Sequence, residues 1–212
     1  MSITITDVIT NIEKRYWGNL EKYFKILFGK ASNVHAPYHN MNHTLHVVSE
    51  CYAGACYYVF DGVSFRNLLI AALFHDFNHS GQLTGNDDLE IERAIRGLRK
   101  HILPEDEPRL AIIEGLIRST RFPHKAPNDE LVLSEQVLRD ADMSQSFGSN
   151  DWVQQILFGL SAEMRMTPKE LLGTQESFLS GVEFASEWGR RKFSPLRDKR
   201  ILEVRELVRI IG

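Results

Sequence analysis

The chain has 212 residues, 43% of them hydrophobic and 25% charged, with a formal net charge of −3 and two cysteines. That length suits one well-packed domain spanning residues 1–212. The near-neutral balance excludes a basic nucleic-acid surface or an acidic tail, and two cysteines exclude a disulfide framework.

No signal peptide is evident and no apolar run approaches the roughly 18 residues of a membrane span, so a cytoplasmic location with no membrane partner is expected. Helical periodicity dominates and no sustained alternation marks a strand, so the expected fold is all-α. From Asp7 to Phe28 the apolar positions Val8, Ile9, Ile12, Tyr16, Trp17, Leu20, Tyr23, Phe24 and Leu27 recur at spacings of three and four, which reads as one amphipathic helix. Lys30 to Tyr38 reads as a loop, with Pro37 biasing Ala36 away from the helical region.

A second helix is expected from His39 or Asn42 to Phe60. It carries Cys51 and Cys56, which lie about 140° apart around the axis and read as small apolar side chains rather than partners. Asp61 and Gly62 break the pattern. Ser64 is the expected N-cap of a third helix through Leu68 to Phe74, apolar nearly all round and so destined for the core. Further helices are expected near residues 87–102, 107–121, 130–144, 150–164, 168–192 and 196–211, punctuated by Pro104, Pro108, Pro123, Pro127, Gly148, Pro168 and Pro195. The last carries Leu202, Val204, Leu207, Val208 and Ile211, a stripe suited to the core or to a homodimer interface, with the core preferred.

All eight histidines fall between residues 35 and 124. His75 and Asp76 close the apolar third helix, where an unpaired carboxylate costs several kcal/mol, so a compensating charge is required. A divalent cation supplies it, and mixed His and Asp donors suit zinc, manganese, iron or magnesium. His39 and His43, and likewise His75 and His79, are four apart and are expected to project in pairs from helix faces. Asp140 and Asp142 lie on an apolar-periodic stretch that turns at least one carboxylate inward; the other is an exposed residue or orients an imidazole.

The order His43, His75-Asp76, Asp142 resembles the H…HD…D signature of the HD phosphohydrolase superfamily, and the details are most similar to class I cyclic-nucleotide phosphodiesterases. Tyr38 to His43 is similar to YHNxxH, Phe74 to Gly81 (FHDFNHSG) to FHDxDHPG, and Ala141 to Ser144 to ADLS. Asn86-Asp87 with Glu92 resembles NDxxxxE, Ile117 to His124 resembles LATDxxxH, and Gln175 with Phe178 resembles the QxxF pair that holds the nucleobase. The chain departs from the pattern at Asn78, His46, Arg121 and Gln145.

The resemblance implies an HD-type helical bundle in which His43, His75, Asp76 and Asp142 bind the first of two divalent ions and Asp76 bridges to the second. A hydroxide between the ions is then the nucleophile, His39 the general acid, Glu92 its orienting group and His79 a support for the hydroxide or the phosphoryl oxygens. Tyr38, His124, Gln175 and Phe178 are the expected substrate-binding residues. The expected substrate is a small-molecule nucleotide phosphoester, a cyclic nucleotide first. Alternatives are hydrolysis of nucleoside mono- or triphosphates, a nucleotide-binding sensor without turnover, and an iron oxygenase.

Overall fold

A helix without a polar face is stable only where other helices surround it. Gly62–Phe74 is that helix here, with every side chain from Phe65 to Phe74 buried. Asp61 caps it, its Oδ1 accepting from the Val63 and Ser64 backbone N–H groups at 2.8 and 2.9 Å. The sequence pointed to Ser64 as the cap; Ser64 instead sits inside the first turn and gives its hydroxyl to Asp61 at 2.9 Å.

The computed structural model describes residues 5, 6, 8, 9, 20–82, 87–124, 126–148 and 151–211. In chain order the helices are α1 (Glu21–Lys30), α2 (Met41–Tyr57), α3 (Gly62–Phe74), α4 (Asp87–His101), α5 (Leu110–Ser119), α6 (Leu133–Met143) and the single turn α7 (Gln145–Gly148). A π-helical stretch, Val153–Leu160, then continues into α8 (Ser161–Met164), followed by α9 (Pro168–Gly181) and α10 (Glu187–Ile211). The fold is all-α, with no strand among the described residues. Half of the expected helix from Asp7 to Phe28 lies outside the described residues, as does Asn86; its described end runs on to Lys30 as α1. Helices α1, α2, α4, α5 and α6 all pack against α3, and the buried apolar side chains form one cluster around it.

Three boundaries differ from the sequence reading for identifiable reasons. Helix α2 begins at Met41 because Asn40 is its cap, its Oδ1 accepting from the Asn42 and His43 N–H groups at 2.8 and 3.2 Å, which leaves His39 in the turn outside the helix. The expected helix over 168–192 is two elements, divided between Val182 and Ser186. Asp140 fixes that division by accepting from Ala185 N–H, Ser186 N–H and the Ser186 hydroxyl at 2.8, 2.8 and 2.6 Å. Pro195 lies within α10 rather than ending a helix. Along α10 only Val204 of the apolar stripe reaches full burial; Leu207 packs partly on the core, while Leu202, Val208 and Ile211 are exposed, against the preference for core.

One ion cluster is buried with the core. Arg66, within apolar α3, is 0% exposed and donates from Nε and Nη2 to the two Asp106 oxygens at 2.7 and 2.6 Å, while the Tyr23 hydroxyl and Arg109 complete the shell of the carboxylate. Removing one partner of such a pair strands the other charge away from water. Asp106→Ala is therefore expected to lower unfolding free energy by about 3–5 kcal/mol in urea denaturation; a loss below about 1 kcal/mol, the range of an exposed pair, would show that Arg66 does not depend on it.

Candidate metal centre and cavity

Three helices deliver four donor side chains to one point. His43 comes from the first turn of α2, His75 caps the C-terminus of α3, Asp76 follows it, and Asp142 lies in the last turn of α6. His43 and His75 are 1% and 2% exposed. Their Nε2 atoms are 3.3 Å apart. His43 Nε2 lies 3.1 Å from Asp142 Oδ1 and 3.3 Å from Asp76 Oδ2, and His75 Nε2 lies 3.5 and 3.1 Å from the same two atoms.

The opposite edge of each ring sets its tautomer. His75 Nδ1 is 2.8 Å from the Ala72 carbonyl, and His43 Nδ1 is 2.9 Å from Gln145 Oε1. Both partners are acceptors, so each Nδ1 carries the proton and, in the neutral ring, each Nε2 presents a lone pair to the shared point. Two lone pairs and two carboxylates facing one another repel unless a positive charge stands between them.

A divalent ion fits that requirement. Donor atoms about 2.1 Å from a common ion lie about 3.0 Å apart in an octahedral and about 3.4 Å apart in a tetrahedral arrangement; all the separations here but the 3.5 Å from His75 to Asp142 fall in that range, and His43, His75 and Asp142 lie close enough together to hold one ion. Asp76 Oδ2, moreover, is buried with no hydrogen bond among the described residues, and a cation would satisfy it. In the ion's absence protons serve instead. Burial pulls His43 down, but the carboxylates of Asp142 and Asp76 overcome this and raise it to about 9; His75 is raised too, against the same burial. Burial pushes the Asp76 and Asp142 carboxyls up, and the surrounding imidazoles reverse this and hold both well below the usual range.

Beside this centre a second group forms around His39. Its Nδ1 is 2.5 Å from Glu163 Oε2, and Glu163 Oε1 accepts from the Tyr38 and His39 backbone N–H groups at 2.8 and 3.0 Å. The His39 ring stacks on His79 at 3.8 Å. The Nδ1 of His79 accepts from Gly81 N–H at 3.1 Å, so its Nε2 carries the proton. Burial first, then the charge of His39, lower His79 to about 4, which keeps it a neutral donor. His39, His79 and Glu163 also lie close enough for a metal, but both Glu163 oxygens and one nitrogen of each ring are already engaged. The arrangement holds protons.

Parts of both groups, but not His43, His79 or Glu163, line a cavity of about 350 Å3. His39, His75, Asp76 and Asp142 form one end, and Ile91, Phe122, Leu160, Leu171 and Phe178 form the walls. Tyr38 lines it beside the imidazoles, and Gln175, 3% exposed, presents an Oε1 with no hydrogen bond. The described lining includes Asp87 and Glu90 and no lysine or arginine.

Several expectations fail here. Glu92 does not reach His39; it pairs with Arg118 at 2.6 Å on the outer side of α4, and Glu163 holds His39 instead. The acids of α4 that face the cavity are Asp87 and Glu90, and Glu90 accepts from Ser80 N–H and hydroxyl, both at 2.9 Å. His124 lines a separate cavity beyond Phe122. The pairs His39/His43 and His75/His79 do not share helix faces, because His39 precedes its helix and His79 follows its own. The departure at Asn78 is accommodated: its φ of 64° suits Asn as it does Asp, and its Oδ1 accepts from Ser32 N–H at 2.8 Å. The sequence reading does not single out Glu163, and it names Gln145 only as a departure from the family pattern.

No family model matches the chain, and no curated protein matches it. Among solved structures, the fold is shared with a crystal structure described as a predicted HD superfamily hydrolase from an uncultured Thermotogales bacterium. The TM-score is 0.58 at 21% identity, with 96% of this chain and 98% of that one covered. The likeness shows the fold that the sequence motifs implied.

The raised imidazoles give a pH test. A group whose folded pKa, about 9 for His43, exceeds its ordinary 6.5 stabilises the fold fully below the lower value and loses that contribution as pH rises through the higher. Chelator-treated protein is therefore expected to lose thermal stability between pH 6.5 and 9, a fall absent from the metal-loaded protein, where the rings are neutral and bound. Chelated protein equally stable across that interval would contradict the assignment.

Proposed function

We propose that this chain is a metal-dependent phosphohydrolase that cleaves a nucleotide phosphodiester, a cyclic nucleotide first among candidates. The observation that carries the reading is the junction of the His43, His75, Asp76 and Asp142 donor set with an apolar cavity ending in an unpaired amide. The shared fold with an HD-type hydrolase supports it.

His43, His75, Asp76 and Asp142 would hold the divalent metal. Bound there, the metal neutralises phosphoryl charge and supplies a nucleophile at neutral pH. His39, fixed through Nδ1 by Glu163, is left with Nε2 to deliver a proton to a departing alkoxide, a role an imidazole fills near neutral pH. His79 donates from Nε2–H toward the reacting group or its phosphoryl oxygens. Gln175 accepts a hydrogen bond from a nucleobase N–H, and Phe122 and Phe178 flank the base. The acids Asp87 and Glu90, with no lysine or arginine in the described lining, favour a monoanionic diester over a triphosphate, whose extra charge calls for basic side chains. The expected partner is thus a small-molecule nucleotide. No described helix is long and apolar enough to cross a membrane.

Chelation is expected to abolish hydrolysis, and manganese or magnesium to restore it, in a nucleotide panel read by product chromatography. Asp76→Ala should hold no metal and show no turnover. Full activity without metal would refute the reading, and release of phosphate from mono- or triphosphates alone would move it to the alternative substrates.

A second pair of variants tests the proton donor. His39→Ala is expected to lower kcat on nucleotide diesters by about 10²-fold or more with metal content unchanged, and Glu163→Gln to lower it less. Both should slow activated nitrophenyl esters far less, because those leaving groups need no proton. Equal slowing of both substrate types would remove the acid role from His39.

A further inference from the structure

On the far side of Phe122, Met143 and Phe178, which line both spaces, lies a second cavity of about 400 Å3. We infer that this cavity binds a small molecule carrying a phosphate or carboxylate group, held by the guanidinium of Arg139.

Arg139 is 3% exposed and lines the cavity. Its Nε donates to the Ser119 carbonyl at 3.2 Å, and its Nη1 to the Ala126 carbonyl at 3.0 Å and to Asn128 Oδ1 at 3.1 Å. Every one of these acceptors is neutral. Its neighbour Asp140 gives its oxygens to Ala185 and Ser186 instead, and no carboxylate lies within ion-pair distance of the guanidinium among the described residues. The contrast with Arg66 is direct: equally withdrawn from water, Arg66 is matched by two bonds to Asp106. A buried charge is ordinarily paired because desolvation penalises it; Arg139 feels Asp140 and Glu135 only from a distance, and among the described residues no carboxylate bonds its guanidinium. Burial accordingly pulls its pKa down.

The surroundings suit an oxyanion. Nη2 of Arg139 donates to no described residue, and the planar guanidinium matches the geometry of phosphate and carboxylate. His124 also lines the cavity, but its Nδ1–H is given to the Arg121 carbonyl at 3.1 Å, so in the neutral ring its Nε2 is an acceptor and the anion is left to Arg139. The Ser177 hydroxyl stands at the exposed rim, and Phe184 offers an apolar wall for the rest of the ligand. Two acids also line the cavity: Asp140, whose oxygens accept from Ala185 and Ser186, and Glu183, which is exposed and screened by water.

The site does not depend on the hydrolase reading and is tested without turnover. Full-length, chelator-treated protein is titrated by calorimetry with inorganic phosphate and, separately, with malonate. Saturable binding of either is expected, retained in Asp142→Asn and weakened about 10-fold or more by Arg139→Gln. Because Arg139 also ties together the 119–128 segment, Ser177→Asp, at the exposed rim, provides a variant that places a repelling charge at the mouth without touching those bonds; it is expected to weaken binding comparably. No saturable binding of either anion, binding indifferent to Ser177→Asp, or binding lost in Asp142→Asn would overturn the inference.

Discussion

Two neutral imidazoles with their lone pairs 3.3 Å apart, flanked by two carboxylates and buried from water, form an arrangement that a protein cannot hold together by itself. Either protons or a metal must stand between them. Much of the fold is organised to impose this. The buried α3 is fixed at the centre of the bundle and delivers His75 at its end, Asn40 fixes where α2 begins and so where His43 points, and Asp140 ties the start of α10 to the helix that carries Asp142. The carbonyl of Ala72 and the amide of Gln145 then commit each ring to one tautomer.

The remaining features of the cavity follow from what a charged centre requires of its neighbours. A proton donor beside it must be aimed, and Glu163 aims His39 through three contacts at once, two of them to backbone N–H groups. The π-helical stretch before it brings Gly159 so close to Pro37 that an added Cβ would lie 2.5 Å from the Pro37 carbonyl oxygen. That approach seats the Tyr38-His39 turn against α8. The same cavity is walled by Ile91, Phe122, Leu160, Leu171 and Phe178 and lined by the Gln175 amide, so a site suited to phosphoryl charge adjoins surfaces suited to a flat, hydrogen-bonding ring.

What was legible in the sequence was whatever is encoded locally. The apolar run of Leu68 to Phe74 announced a core helix, and the order of His43, His75, Asp76 and Asp142 announced four residues that the fold does bring together. What was not legible depends on where chain ends meet. Two neighbouring acids of one helix, Glu90 and Glu92, differ only in rotation about its axis, and the spacing of the motif selected the one that faces outward. Glu163 lies 124 residues from His39, and no local pattern links them. The break before α10 is set by Asp140 across the bundle rather than by Pro195, whose missing N–H a long, packed helix tolerates. Asp61 won the cap over Ser64 because a carboxylate can take two backbone N–H groups and the serine hydroxyl together.

The most direct measurement is X-ray absorption at the metal edge of the protein loaded with one equivalent of zinc or manganese. The predicted first shell contains two imidazole nitrogens at about 2.0–2.2 Å together with carboxylate oxygens, and the imidazole signature diminishes in His43→Ala and in His75→Ala. A shell of oxygens alone, or a spectrum that neither variant alters, would contradict a shared cation at this point in the fold.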